Sequence, residues 1–298
     1  MPALLLHFDD ESAAARRLAQ ACQLVSACVE AHRFPDDELR LRLPVDAQGK
    51  LPEQLVVYRS LDRPNDKLIE LMLVARQARE LGARRIILVA PYLAYMRQDI
   101  AFHPGEVVSQ KVVGRFLAEL FDAVITVDPH LHRISTLDEA IALPHAISLS
   151  GAPMLAELIA RHHDRPLLIG PDAESAQWIE AAARVHGLDH GVCTKERRGD
   201  KQVEITLPVV PVQGRAVVLL DDVASSGRTL AVAARLLLDA GASSVDVAVT
   251  HALFAGDALA VIQSAGVRHV WSTDCIAHPS NAIEMAPALA QSLQPLLS

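Results

Sequence analysis

Between Arg215 and Leu230 the chain reads RAVVLLDDVASSGRTL. The run Ala216–Leu220 is apolar without alternation, as a strand buried on both faces of a parallel sheet reads. Two carboxylates, Asp221 and Asp222, stand where that run stops. A small hydroxyl-rich turn follows, Ser225-Ser226-Gly227, and from Thr229 the pattern LAVAARLLLDAGA is helical. A strand leading through a short polar loop into a helix N-terminus gathers an anion, because free N–H groups and the helix dipole aim at one point. Carboxylates beside a phosphate nest suit a ligand with hydroxyls and a phosphate, such as a sugar phosphate.

Similar units recur on both sides of this stretch. Ala3–Phe8, Leu55–Arg59, Arg85–Ala90, Asp122–Val127, Pro166–Gly170, Ser244–Thr250 and Val267–Ser272 read as strands. The segments AAARRLAQACQLVSACVEA from Ala13, DKLIELMLVARQAREL capped by Asn65 and stopped by Gly82, and EVVSQKVVGRFLAEL read as helices. Alternating strands and helices predict an α/β fold with mainly parallel sheets. The alternation restarts near Ala146, which predicts two related domains, 1–145 and 146–298, with the last residues packing back on the first.

Bulk properties narrow the function. The 298 residues are 51% hydrophobic and 21% charged, enough for real cores and too apolar for disorder. A net charge of −8 with no basic stripe argues against a nucleic-acid platform and leaves local basic loops able to bind phosphates. Cys22, Cys28, Cys193 and Cys275 show no metal-finger spacing and are expected as reduced thiols. No stretch approaches the roughly 18 apolar residues of a membrane helix, and the start MPALLLHFDDES lacks a basic n-region. A cytoplasmic protein without membrane contact is expected.

Ligands of open α/β sheets bind beyond the carboxyl ends of strands. The polar residues expected there are Arg59, Arg97 with Gln98 and Asp99, His130, Asp172, Lys195 with Arg197, and Asp221 with Asp222. His130 and Asp172 are candidate Mg²⁺ holders, although Mg²⁺ prefers oxygen and keeps water and phosphates in its shell. His132 reads as structural or solvent-facing. Lys195-Glu196-Arg197-Arg198-Gly199-Asp200-Lys201 lies between a short apolar strand and an alternating one, as a flap would. Its Lys195 and Arg197 share one side of an extended segment, suited to charge developing on a phosphoryl group. Neither GxxxxGK[ST] nor GxGxxG occurs, so a nucleotide would be held without those loops. Phe34-Pro35-Asp36-Asp37-Glu38 offers an aromatic face and carboxylates, or simply a tight turn.

Taken together, NDKLIELMLVARQARELGARRIILVAPYLAYMRQD, VITVDPH, PDA, CTKERR, LLDDVASSGRTL and GASSVDVAVTHALFAGDAL, in that order, resemble the ribose-phosphate diphosphokinase (PRPP synthetase) family over nearly the whole chain. The resemblance implies two phosphoribosyltransferase-like domains related by duplication. It implies transfer of the β,γ-diphosphoryl group of ATP to the C1 hydroxyl of ribose 5-phosphate, with Mg²⁺, giving PRPP and AMP. Carried over, Phe34, Asp36, Asp37, Glu38, Arg97 and Gln98 would hold ATP. His130 and Asp172 would hold the metal, and Lys195 and Arg197 would be catalytic. Asp221, Asp222, Ser225, Ser226, Gly227, Arg228 and Thr229 would hold ribose 5-phosphate. A homo-oligomer, dimer or hexamer, is implied as well.

The chain departs from the common bacterial pattern at several points. Ser225 and Ser226 replace an acid and a Thr, Arg228 replaces a Gly, and Pro35 and Asp37 stand where Ser and Gly are usual. RQDIAFHPGE and KERRGD resemble archaeal-type members. The alternatives are a phosphoribosyltransferase that consumes PRPP and a non-catalytic regulatory subunit. The first is normally one domain, and the second is expected to lose the flap Lys or the metal ligands.

Overall fold

The unbroken apolar runs do become strands buried on both faces. The structure, a computed structural model, describes residues 3–131, 133–198 and 202–298, with backbone alone for residues 196–198 and 202–204. Two units divide the chain: Met1–Leu149 with Met285–Ser298, and Ser150–Glu284.

In the first unit, β1 (Leu4–His7), β2 (Val25–Cys28), β5 (Gln54–Tyr58), β6 (Arg85–Val89), β7 (Ala123–Val127) and β8 (Ala146–Leu149) form one parallel sheet in the order β2-β1-β5-β6-β7-β8. The hairpin of β3 (Glu30–Arg33) and β4 (Leu39–Arg42) interrupts this series. Helices α1 (Ser12–Ala21), α2 (Pro64–Glu80) and α3 (Ser109–Leu120) make the connections. Leu6, Leu55, Val57, Ile86, Leu88 and Val124 of the sheet pack with Leu71, Val74, Ala78 and Leu117 of α2 and α3 in one core, all at 1% exposure or less.

The second unit repeats the plan. After α4 (Ala152–His162), β9 (Leu167–Gly170), β10 (His190–Val192), β13 (Ala216–Ala224), β14 (Ser244–Ala252), β15 (Val270–Thr273) and β16 (Asn281–Ile283) pair in parallel as β10-β9-β13-β14-β15-β16. The hairpin of β11 (Thr194–Arg198) and β12 (Gln202–Thr206) falls where β3–β4 falls in the first. Helices α5 (Ala176–His186), α6 (Arg228–Asp239) and α7 (Ala258–Ser264) connect the strands. In each unit the second strand takes the edge beside the first, a hairpin follows, and four strands extend the other way. Two sheets of identical order make the duplication a property of topology.

Four expectations change. The helix expected over 13–31 ends at Ala21: Gln23 turns to φ +57, Leu24 N donates to Ala19 O at 2.8 Å, and Val25–Cys28 becomes an edge strand. That hydrogen-bond geometry is a Schellman stop made without glycine. The cap of α2 is Arg63 at φ +52, with Pro64 at the first helical position and Asn65 inside the helix. Ala146–Leu149 is the sixth strand of the first sheet, because it pairs with β7, so the opening of a second domain at residue 146 falls four residues early. Finally, β13 does not stop at Leu220. It pairs with β14 as far as Ala224↔Ala252, carrying both aspartates within the strand.

Candidate active site

Strand order decides where a crevice opens. In the second sheet the chain runs outward in opposite directions from β9 and β13, so their adjoining carboxyl ends flank a topological switch point. Asp172 follows β9, and Asp221 and Asp222 lie in β13 just beyond Leu219, where its pairing with β9 ends. Asp172 caps the short turn after it, its Oδ1 accepting from Glu174 N at 3.2 Å.

Lys195 reaches this edge from β11. Its Nζ donates to Asp172 Oδ2 at 3.1 Å and to Thr229 Oγ1 at 3.4 Å. Residues 172, 195 and 229, from three separate motifs, thus meet in one place. Arg197 lies in the same hairpin two residues on; only its backbone is described, so its side chain lies outside the described residues. His132 also lies outside them.

Asp221 accepts from Asp222 N at 3.0 Å. Its carboxyl nevertheless sits well above the ordinary carboxylate range, because burial and then the charges of Asp222 and Asp172 disfavour ionisation. A carboxyl with a raised pKa in the fold contributes full stability below its ordinary pKa and loses it as pH rises through the raised value. At pH 7 the fold therefore bears this cost, as repulsion or as the uptake of a proton. Asp221→Asn should unfold at a higher urea concentration than wild type at pH 7, and the difference should vanish toward pH 4. An unchanged or lower midpoint at pH 7 would show that the carboxyl is not raised in the fold.

Beyond Ala224 the turn Ser225-Ser226-Gly227 leads into α6. Ala255 N donates to Ser225 O and Phe254 N to Ala224 O, both at 2.9 Å, which ties the turn to the loop after β14. Gly227 has φ +69, and Arg228 is the first helical residue. The first-turn N–H groups of α6 have no partner inside the helix and point toward the turn. The Arg228 side chain is exposed and lines an open groove of about 450 Å³ with Ala231, Arg235, Asp239 and Val261.

The switch point of the first sheet, between β1 and β5, is filled instead by protein charge. Arg59 is buried; it meets Glu70 at 2.6 Å and Asp10 at 2.6 Å and lies 4.3 Å from the Phe8 ring. Lys67 joins Glu11 at 3.2 Å and Asp62 at 2.6 Å, and burial pushes the Glu11 carboxyl up to about 7 against both cations. Arg59, expected at the ligand edge, is thus the centre of an internal ion network.

The remaining first-unit candidates follow other strands. Arg97 is exposed and Gln98 half-buried in the loop after β6, while His130 is half-buried after β7, behind Asp128 at φ +35. Phe34, Asp36, Asp37 and Glu38 form the exposed tip of the β3–β4 hairpin, with Phe34 N donating to Glu38 O at 2.8 Å. Asp37 occupies φ +71, a conformation that favours glycine and that Asp tolerates better than most side chains. Among the described residues no three His, Cys, Asp or Glu side chains form a metal-holding group, and no helix is long and apolar enough to cross a membrane.

Comparison with known proteins agrees with this layout. Residues 3–120 match the N-terminal domain of ribose phosphate pyrophosphokinase, and residues 149–272 match the phosphoribosyl transferase domain. The ribose-phosphate pyrophosphokinase of Methanopyrus kandleri is 35% identical over 284 residues, spanning 94% of this chain and 95% of that one. That of Methanothermobacter thermautotrophicus is 32% identical over 268 residues, spanning 89% and 91%. The crystal structure of phosphoribosylpyrophosphate synthetase from Mycobacterium smegmatis shares the fold, with a TM-score of 0.82 at 21% identity over 99% of each chain.

Proposed function

The chain belongs to the ribose-phosphate pyrophosphokinase family, and from that premise we propose that it transfers the β,γ-diphosphoryl group of ATP to the C1 hydroxyl of ribose 5-phosphate. The C1 oxygen bonds to the β-phosphorus, the bond from that phosphorus to the α-phosphate oxygen breaks, and AMP leaves. The hydroxyl proton is released, and PRPP is the product. One observation carries the reading: Lys195 lies within hydrogen-bond distance of both Asp172 and Thr229, at a switch point where burial and then neighbouring carboxylates raise Asp221.

In the second unit, the N–H groups of Ser225, Ser226, Gly227, Arg228 and Thr229 would cradle the 5-phosphate, Arg228 through its backbone because its side chain lines the outer groove. Asp221 and Asp222 would accept from the ribose hydroxyls. Lys195 and Arg197 would stabilise negative charge growing on the transferring group. Asp221→Asn should then lower kcat/KM for ribose 5-phosphate by about 10- to 100-fold, the worth of one hydrogen bond to a charged acceptor. In the first unit, Arg97 and Gln98 would hold the ATP phosphates, and Phe34, Asp36, Asp37 and Glu38 the nucleoside.

The donor set fits a hard cation. Like-charge crowding beside Asp172 is what a divalent ion would relieve, and Mg²⁺ takes oxygen donors and keeps water and phosphates in its shell. His130 and Asp172 are the candidate holders of Mg²⁺, which when bound would neutralise phosphate charge. A homo-oligomer and a cytoplasmic location belong to the same proposal and rest on the family.

The deciding experiment supplies purified protein with ATP, Mg²⁺ and ribose 5-phosphate and follows nucleotides by chromatography. AMP and PRPP in equal amounts are expected. ADP would mean ordinary kinase chemistry, and no turnover would favour a regulatory subunit. PRPP consumed only with a nitrogenous base would make it a phosphoribosyltransferase.

A further inference from the structure

The loop that offers Arg97 and Gln98 is held by residues with no assigned role. Gln110, at the start of α3, is buried; its Nε2 donates to Met96 O at 3.2 Å and its backbone N to Gln98 O at 3.2 Å. Tyr95 donates its hydroxyl to Asn65 Oδ1. The backbone on both sides of Arg97 is thus fixed while its side chain stands exposed.

The next residue, Asp99, is stranger. Its side chain is only 3% exposed, and Oδ1 accepts from Arg133 Nη1 at 2.5 Å. Oδ2 is buried without a hydrogen-bond partner among the described residues. Burying a carboxylate is costly unless it is compensated, so here the compensation falls on one arginine. That arginine lies three residues beyond His130, and its guanidinium is 5.9 Å from the Phe102 ring of the nucleotide loop. An exposed ion pair would contribute little. This one has a buried end and joins two loops that leave neighbouring strands, β6 and β7.

We infer that Asp99 and Arg133 are a positioning pair, tying the loop that presents Arg97 and Gln98 to the loop that presents His130 so that nucleotide meets both in one fixed arrangement. The inference rests on the proposed nucleotide role of Arg97 and Gln98. It predicts that the pair acts as a unit: once either member is gone, losing the other changes little.

The test measures binding of a non-hydrolysable ATP analogue with Mg²⁺ by calorimetry, with ribose 5-phosphate binding and urea unfolding alongside. Arg133→Ala and the isosteric Asp99→Asn should each weaken the analogue about 10-fold. The double variant should be no worse than either, Arg133→Lys should recover part of the loss, and ribose 5-phosphate affinity should be unchanged. Analogue affinity equal to wild type in both single variants, losses that multiply in the double variant, or a fall in urea midpoint with no change in binding would overturn the pairing. Wild type that fails to bind the analogue would instead remove the nucleotide reading, and this inference with it.

Discussion

Lys195→Ala should lower kcat by about 10³-fold while analogue affinity stays within about twofold of wild type, because its charge acts chiefly where negative charge develops. The free protein shows the ammonium held between Asp172 Oδ2 and Thr229 Oγ1, at 3.1 and 3.4 Å. It is thus placed beside a candidate metal holder and at the proposed phosphate nest without being used up by one strong pair. Lys195→Arg should restore only part of the rate, since a planar fork cannot take the place of a compact point charge. Rate constants from single turnovers, set beside calorimetric affinities, separate the cases. Unchanged turnover would remove Lys195 from catalysis. A rise in KM with kcat intact would make it a ground-state contact.

What the sequence made legible follows from which forces are local. Ala216–Leu220 and Ile86–Val89 are apolar on both faces, and only a strand covered on both sides satisfies such a run; both lie in central strands. The helix expected past Ala21 failed because Ala-rich propensity is a weak local term, whereas Val25–Cys28 is settled by pairing with β1. Asp221 and Asp222 looked like a strand end because carboxylates are poor strand formers. Their pairing with β14 is a contact across the sheet that sequence does not display.

The same division runs through the site. Asp172, Lys195 and Thr229 are 23 and 34 residues apart, and only the order of known motifs suggested that they meet. Arg59 carried the same signal, a cation ending a strand. Its partners Asp10 and Glu70 lie 49 residues before and 11 residues after it, and they turn it inward. Arg133 carried no signal, since its value depends on Asp99, 34 residues away. Arg228, conspicuous where glycine is usual, sends its side chain into the outer groove, so the turn before α6 accommodates it.

The glycine beside it has no such freedom. A Cβ on Gly227 would lie 2.8 Å from Ala258 O and 2.9 Å from Ile262 Cδ1, and its φ of +69 is strained for any side chain. The strain costs roughly 1–2 kcal/mol and the overpacking about 1–3 kcal/mol more. Backbone oxygen at the start of α7 cannot step aside as a flexible side chain would, so the turn before α6 must move. Gly227 O also accepts from Ala231 N at 2.9 Å, so that movement carries the first-turn N–H groups with it. A shift near 1 Å in a positioning group costs about 100-fold. Gly227→Ala should therefore lose about 100-fold or more in kcat/KM for ribose 5-phosphate, with a lower urea midpoint and with analogue affinity, proposed for the first unit, retained. Gly187→Ala is the control: φ there is +62 at the end of α5, with nothing within 4 Å of the added carbon, so it takes the backbone strain alone. Loss of stability in both variants but of ribose 5-phosphate affinity only in Gly227→Ala would place the phosphate at the N-terminus of α6. Equal retention of that affinity would move the phosphate elsewhere.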